Sequence, residues 1–196
     1  MTGGARTGFE PGRKLIHLLS GLIPLFYLWF DPSRREAVTI LGILAIPFLG
    51  ADIARRYLPA LNRAFSAWLE WALRENERGR LTGASYSLIG AWLTVLLFEK
   101  RIACAALLIL AVGDTVASLV GRAVGGRTLF GRKTVVGSLA MFVASVLLAL
   151  AFVPPRVAVG GALAATLVEL LPLPIDDNLT IPLATGLALT LLSLIP

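Results

Sequence analysis

Charged side chains and cysteine are scarce in this sequence. Asp, Glu, Lys and Arg together make up 15% of the 196 residues, whereas hydrophobic residues make up 57% and the mean hydropathy is +0.81. A chain with so few charges cannot cover the surface of a soluble protein, which indicates a polytopic membrane protein. The single cysteine, Cys104, excludes an intrachain disulfide, and its apolar surroundings predict a buried, unreactive thiol.

Apolar segments fill most of the chain and predict an all-α fold, a polytopic bundle of about seven transmembrane helices. Several segments are shorter than the ~20 residues that span a bilayer comfortably. Pro24, Pro47 and Pro182 lie inside three of them and predict kinked helices around an interior site. The predicted segments are Leu15–Phe30, Ala37–Ala54, Ala84–Phe98, Ile102–Val124, Thr134–Val153, Val157–Leu171 and Leu179–Ile195.

The remaining sequence predicts a tail and one interfacial helix. Residues 1–12 are polar and rich in glycine, so we expect a disordered tail followed by one membrane-embedded domain over residues 13–196. Residues Leu61–Arg78 have an amphipathic pattern, and Pro59 suits the start of a helix. We expect this helix to lie in the inner membrane interface, anchored by Trp68 and Trp71. Packing against cytoplasmic loops is the alternative, because an amphipathic pattern fits both.

The distribution of positive charge predicts the orientation in the membrane. Placing the N-terminus in the cytoplasm also places most of the 18 Lys and Arg residues on that side. The predicted location is a prokaryotic cytoplasmic membrane, with the acidic and basic clusters near the cytoplasmic edge. The residues left outside are Arg34, Arg35, Lys100, Arg101 and Arg156.

The stretch from Gly113 to Phe142 combines the features of a metal–phosphate site. Asp114, Ser118 and Arg122 are four residues apart and share one helix face. Beside it runs a stripe of small residues that lets another helix approach closely. The following connection is glycine-rich and basic, ending at Arg132 and Lys133. A carboxylate, a hydroxyl group and a cationic turn are what such a site requires. The stripe consists of Gly113, Ala117 and Gly121.

Simpler interpretations of this stretch exist. Asp114 would be structural if it paired with an arginine of a neighbouring helix. A basic connection between two spans is also typical of any cytoplasmic loop. The segment from Gly126 to Thr134 resembles a phosphate-binding Walker A loop, but its spacing is wrong and no strand precedes it.

Two further polar groups lie near the predicted cytoplasmic edge. Arg13, Lys14 and His17 share a helical face that suits phosphate, although a lone histidine is also an ordinary interface residue. Glu169 and the run Asp176–Asn178 offer hard oxygen ligands suited to Mg²⁺. The alternative is an acidic loop in which Asp177 or Asn178 caps the last helix.

Four stretches resemble the CTP-dependent lipid-alcohol kinases, which include dolichol kinase, phytol kinase and the fungal-type diacylglycerol kinase. The stretches together run from residue 13 to residue 183. They are RKLIH from Arg13, LTGA from Leu81, GDTVASLVGR from Gly113 continuing to FGRKTVVGSLAMF, and DNLTIPL from Asp177.

The resemblance implies a membrane kinase domain that transfers the terminal phosphate of CTP to a lipid alcohol. A polyprenol, phytol or diacylglycerol would be the acceptor, and Mg²⁺ the cofactor. The alternatives are a cytidylyltransferase that forms a CDP-lipid and a small transporter. The expected catalytic residues are Asp114 and Asp177, and the expected metal ligands are Asp114, Glu169, Asp177 and Asn178. Expected to bind the nucleotide phosphates are Arg13, Lys14, His17, Ser118, Arg122, Arg132, Lys133 and Thr134.

Overall fold

A computed structural model describes residues 17–69, 80–131 and 133–195, and its fold is all-α, as predicted. Each of the seven apolar segments forms a helix, with ends close to those expected from the sequence. The helices are α1 (Leu22–Trp29, preceded by a helical turn at 17–20), α2 (Arg34–Ala54), α3 (Pro59–Leu69), α4 (Gly83–Leu97), α5 (Lys100–Leu108), α6 (Asp114–Val124), α7 (Val135–Ala149), α8 (Pro155–Leu170) and α9 (Asp177–Ser193), and a hairpin of β1 (Thr128–Phe130) and β2 (Lys133–Thr134) joins α6 to α7.

Among the described residues, two helical stretches are long and apolar enough to cross a membrane by themselves. They are Arg34–Ala54, with 21 residues, and Lys100–Val124, with 25 residues. The shorter apolar helices include Gly83–Leu97 and Val135–Ala149. Seven membrane spans therefore stay a prediction, whereas the seven apolar helices are confirmed.

Polar residues directly before the apolar segments start several helices. The Ser33 side chain accepts a hydrogen bond from the Glu36 N–H, and the Glu36 carboxylate accepts one from the Ser33 N–H. Thr82 and Thr134 cap α4 and α7 in the same way, through the backbone N–H groups three residues on. Such caps satisfy N–H groups that have no partner in the first turn, so each helix begins where the sequence turns apolar.

The stretch Lys100–Val124 is the centre of the bundle. Residues 102–111 are all buried, and they pack against α1, α7 and α9. The sequence predicts one continuous helix here, but a π-helical turn at Ile109–Gly113 separates α5 from α6. A π-turn inserts an extra residue and rotates the helix face that follows, and such turns are frequent at functional sites. The residue directly after this turn is Asp114.

The predicted stripe of small residues packs α6 against α7, as expected. A Cβ atom at Gly121 would lie 2.7 Å from the Thr134 Oγ1, and one at Gly137 would lie 2.7 Å from the Ala117 carbonyl oxygen. Side chains at these glycines would push the two helices apart. This contact holds α7 and the hairpin before it close to the helix that carries Asp114.

The predicted amphipathic helix is present as α3, which begins at Pro59 as expected. Phe65 turns inward and packs against Phe48, with ring centroids 5.7 Å apart, whereas Arg63 is exposed. Residues 70–79, including Trp71, lie outside the described residues. A position in the membrane interface stays a prediction.

Candidate functional site

Lys133 joins two carboxylates from different helices. Its Nζ atom lies 3.3 Å from Oε1 of Glu169 at the end of α8 and 3.4 Å from Oδ2 of Asp177 at the start of α9. Glu169 is buried, and the Asp177 side chain is 38% exposed. The hairpin thus places the Lys133 ammonium group at the point where α8 ends and α9 begins.

Asp114 forms a second polar group with His17. The His17 Nε2 atom lies 3.4 Å from Asp114 Oδ2 and 3.1 Å from the Leu110 carbonyl oxygen. The same carbonyl accepts the Asp114 N–H at the end of the π-turn. The turn therefore helps to bring Asp114 to His17, a contact across the fold that the sequence did not indicate.

The two groups contain the three acidic residues Asp114, Glu169 and Asp177 and the lysine that the sequence predicted for one site. We call Asp114, Lys133, Glu169 and Asp177 the candidate site. Lys133, Glu169 and Asp177 meet where α8 ends and α9 begins, and Asp114 lies at the start of α6.

The other predicted phosphate-binding residues lie around this site or beyond the described part of the chain. Ser118 is partly buried on the helix face of Asp114, and Arg122 is exposed one turn further along. Thr134 caps α7, since its hydroxyl oxygen accepts the Gly137 N–H at 3.1 Å. The predicted phosphate-binding residues Arg13, Lys14 and Arg132 lie outside the described residues.

Asn178 is buried directly beside the candidate site and bonds to the residue that caps α9. Its backbone N–H and its side-chain amide both donate to Asp176 Oδ1, at 3.0 and 2.7 Å. The sequence left open whether Asp177 or Asn178 caps the helix, and the structure assigns the cap to Asp176. Asp177 is thereby left to pair with Lys133.

Gly90 on α4 allows the start of α9 to approach closely. A Cβ atom at Gly90 would lie 2.3 Å from the Asn178 carbonyl oxygen, which is too close for any side chain. Because the obstructing atom belongs to the backbone, a substitution would have to move α9 and Asp177 with it. Sequence reasoning missed this residue, because a lone glycine in an apolar helix carries no signal of its partner.

Gly90→Ala is therefore expected to lower kcat by about 10- to 100-fold, since a displacement near 1 Å can cost that much catalysis. Overpacking should also lower the free energy of unfolding by about 1–3 kcal/mol. Melting in detergent and turnover of the folded fraction measure the two effects.

Gly186→Ala is the matched control for this prediction. Its Cβ atom would lie 2.4 Å from the Phe98 ring, so it is equally crowded and also affects α9, but far from the candidate site. We expect a similar loss of stability with kcat retained. Equal kcat losses in both variants would show that Gly90 acts on the fold alone.

The carboxylates of the candidate site are groups that could hold a magnesium ion. In the described ranges 17–69, 80–131 and 133–195, no three His, Cys, Asp or Glu side chains converge on one metal position. Mg²⁺ often needs only one or two carboxylates, since phosphate and water oxygens complete its coordination. Asp114 and Asp177 supply that number. Glu169 Oε2 is buried without a hydrogen-bond partner among the described residues, so it could accept a further contact.

A separate buried network lies at the ends of α2 and α4. Asp52 Oδ1 accepts a hydrogen bond from Arg55 Nε at 2.6 Å, and Asp52 Oδ2 accepts from the Thr82 N–H and hydroxyl groups and from Ser85 Oγ. Asp52 and Arg55 are at most 1% exposed. Their spacing of three residues on one helix is the sequence signal that could have identified the pair.

Comparisons with known proteins find lipid kinases among the relatives of this chain. The chain is 30% identical over 139 residues to CTP-dependent diacylglycerol kinase 1 of Schizosaccharomyces pombe, covering 70% of this chain and 64% of that protein. It is 32% identical over 203 residues to a probable chloroplastic phytol kinase of Triticum aestivum, covering 92% of this chain and 66% of that protein. An uncharacterised protein of Rickettsia prowazekii is 30% identical over 198 residues, 93% of this chain and 94% of that one.

The chain thus spans just under two thirds of the length of these two kinases. No family model and no solved structure matches it.

Proposed function

Because the chain belongs to the CTP-dependent lipid kinase family, we propose that it transfers the terminal phosphate of a nucleoside triphosphate to the hydroxyl group of a lipid alcohol. The apolar helices and the lipid kinase relatives indicate a membrane protein. The proposed donor is CTP, which the name of the Schizosaccharomyces pombe relative supports. A polyprenol, phytol or diacylglycerol is the proposed acceptor, and the names of the two kinase relatives support the last two.

The observation that carries this proposal is the contact of Lys133 with two carboxylates from different helices, Glu169 and Asp177. In phosphoryl transfer, the protein mainly positions two substrates and neutralises phosphate charge. Its side chains carry out little covalent chemistry. A lysine that lies between acidic groups can exchange its partners when a metal–nucleotide complex binds. The carboxylates then contact the metal ion, and the lysine contacts the phosphate oxygens. A structural salt bridge would not need the second carboxylate.

In the proposed reaction, the acceptor hydroxyl oxygen forms a bond to the terminal phosphorus atom. The bond from that phosphorus to the bridging oxygen breaks, and the nucleoside diphosphate leaves. Asp114 or Asp177 takes up the hydroxyl proton as general base. Lys133 and Arg122 neutralise charge on the phosphates, and the Ser118 hydroxyl group donates a hydrogen bond to a phosphate oxygen.

Asp114 and Asp177 are the proposed ligands of Mg²⁺, with Glu169 and Asn178 in support. A metal ion held by these residues would supply positive charge that stabilises the charge developing on the transferred phosphate. His17 and Thr134 complete the proposed phosphate-binding set, along with Arg13, Lys14 and Arg132. Which carboxylate serves as base and which as ligand is decided by separate substitutions of each.

We propose that the candidate site faces the cytoplasm, where nucleoside triphosphates and Mg²⁺ are found. This orientation is supported by the excess of Lys and Arg in the N-terminal segment, between α2 and α4, and between α6 and α7. The lipid alcohol would then enter sideways from the inner leaflet of the membrane.

Incubation of the purified protein with Mg²⁺, labelled CTP or ATP and single lipid alcohols tests the proposal. We expect a labelled lipid phosphate and free CDP in equal amounts, with CTP used faster than ATP. Release of pyrophosphate with a CDP-lipid as product would instead identify a cytidylyltransferase. Absence of nucleotide turnover with every alcohol would contradict a kinase and leave a transporter to be tested by substrate flux.

A further inference from the structure

The hairpin between α6 and α7 has a defined shape. Thr128 pairs with Thr134 and Phe130 pairs with Lys133, with a register irregularity between the two pairs. The Val135 N–H donates to the Arg127 carbonyl at the open end. Gly131 follows Phe130 with φ of +55°, a conformation that a tight turn needs and that glycine adopts easily. The connection therefore has regular backbone structure and is not only a loop that carries positive charge.

Phe130 stands beside the lysine of the candidate site. Residues directly opposite each other in an antiparallel pair have side chains on the same face. Phe130 and Lys133 are such a pair, and Lys133 Nζ reaches Glu169 and Asp177. The Phe130 side chain is nevertheless 55% exposed. A large aromatic group next to a cation suited to phosphate is thus left uncovered by the described part of the protein.

We propose that Phe130 is the platform on which the base of the nucleotide stacks while Lys133 holds its phosphates. This inference rests on the proposed function and adds a binding surface for the base. Stacking of a base on an aromatic side chain adds affinity and tolerates any base, because every base has a π-face. Phe130 accordingly supplies affinity for a nucleoside, and it does not select cytosine.

The position of the ring favours a base over a membrane lipid as its partner. A triphosphate bound at Lys133 must extend away from the buried Glu169, and the hairpin face that carries Phe130 is the surface next to that lysine. A nucleotide has a flat group attached to its phosphates, which suits the exposed face of the ring. Contact of the hairpin with lipid is the competing outcome, and it predicts a different kinetic effect.

Two ligands separate the base contribution from the phosphate contribution. Dissociation constants for CTP and for inorganic tripolyphosphate are measured on the full-length protein without lipid alcohol. Phe130→Ala and Phe130→Leu are expected to weaken CTP binding about tenfold and to leave tripolyphosphate binding unchanged. Phe130→Tyr keeps the aromatic face and should bind CTP as the parent protein does.

Two control variants calibrate this experiment. Lys133→Ala should weaken the binding of both CTP and tripolyphosphate, because both carry phosphates. Leu129→Ala removes the exposed neighbour of Phe130 without removing an aromatic ring, and should change neither dissociation constant.

If Phe130→Leu weakened the binding of CTP and of tripolyphosphate equally, the proposal that the base stacks on Phe130 would be wrong. A raised KM for the lipid alcohol with an unchanged CTP dissociation constant would also overturn it, and would assign the hairpin to the lipid. The Phe130 variants could weaken CTP binding alone while the protein phosphorylates no lipid alcohol. That result would support stacking on Phe130 and contradict the proposed function.

Discussion

Asp114→Asn is expected to lower kcat at least ~100-fold while the melting temperature of the resting protein hardly changes. An amide keeps the shape of the side chain, but it cannot take a proton from an attacking hydroxyl, and loss of a general base costs about that factor. The Asp114 side chain is 32% exposed and lies 3.4 Å from His17, so the pair contributes little to folding. Turnover assays and melting in detergent measure the two quantities separately.

Asp31→Asn provides a control for the loss of one acidic group. Asp31 is ion-paired with Lys100, its side chain is 84% exposed, and it lies at the other end of the bundle. Its positive φ is tolerated by asparagine, so both activity and melting should be unchanged. Full activity of Asp114→Asn, or a collapse of its melting temperature together with activity, would show that Asp114 has a structural role instead.

Local signals explain why the helices could be predicted from the sequence. Each apolar segment ends where polar residues, glycine or proline follow, and the capping residues Ser33, Thr82 and Thr134 stand directly before helices. The packing of Gly121 against α7 was also predictable, because the regular spacing of small residues on one face is itself a local pattern.

The features that the sequence did not predict depend on partners distant in the chain or on short elements. The π-turn before Asp114 leaves the apolar pattern intact, and β1 and β2 are too short, at three and two residues, for an alternating pattern. The contact of Lys133 with Glu169 joins residues from the hairpin and α8. The sequence predicted which residue types belong to the site, whereas the fold decides which of them meet.

The buried network at the ends of α2 and α4 has the largest expected effect on stability. Arg55 is the counter-ion of Asp52, and it also donates to the Asn62 side chain on α3 and to the Arg80 carbonyl. Arg55→Ala would leave the Asp52 charge buried without its cation. Breaking one side of such a pair costs about 3–5 kcal/mol, so we expect a large fall in the free energy of unfolding in detergent.

The double variant Asp52→Asn with Arg55→Met tests whether this loss comes from the stranded charge. Removing both charges should recover much of the stability, because a buried ion pair replaced as a whole is often nearly neutral. Arg101→Ala, at an exposed position, should stay within about 0.5 kcal/mol of the parent. The network shares no residue with the candidate site, so the folded fraction of each variant should keep its kcat. If the double variant is as unstable as Arg55→Ala, the contacts of Arg55 to α3 and Arg80 hold the helices together, and not its charge.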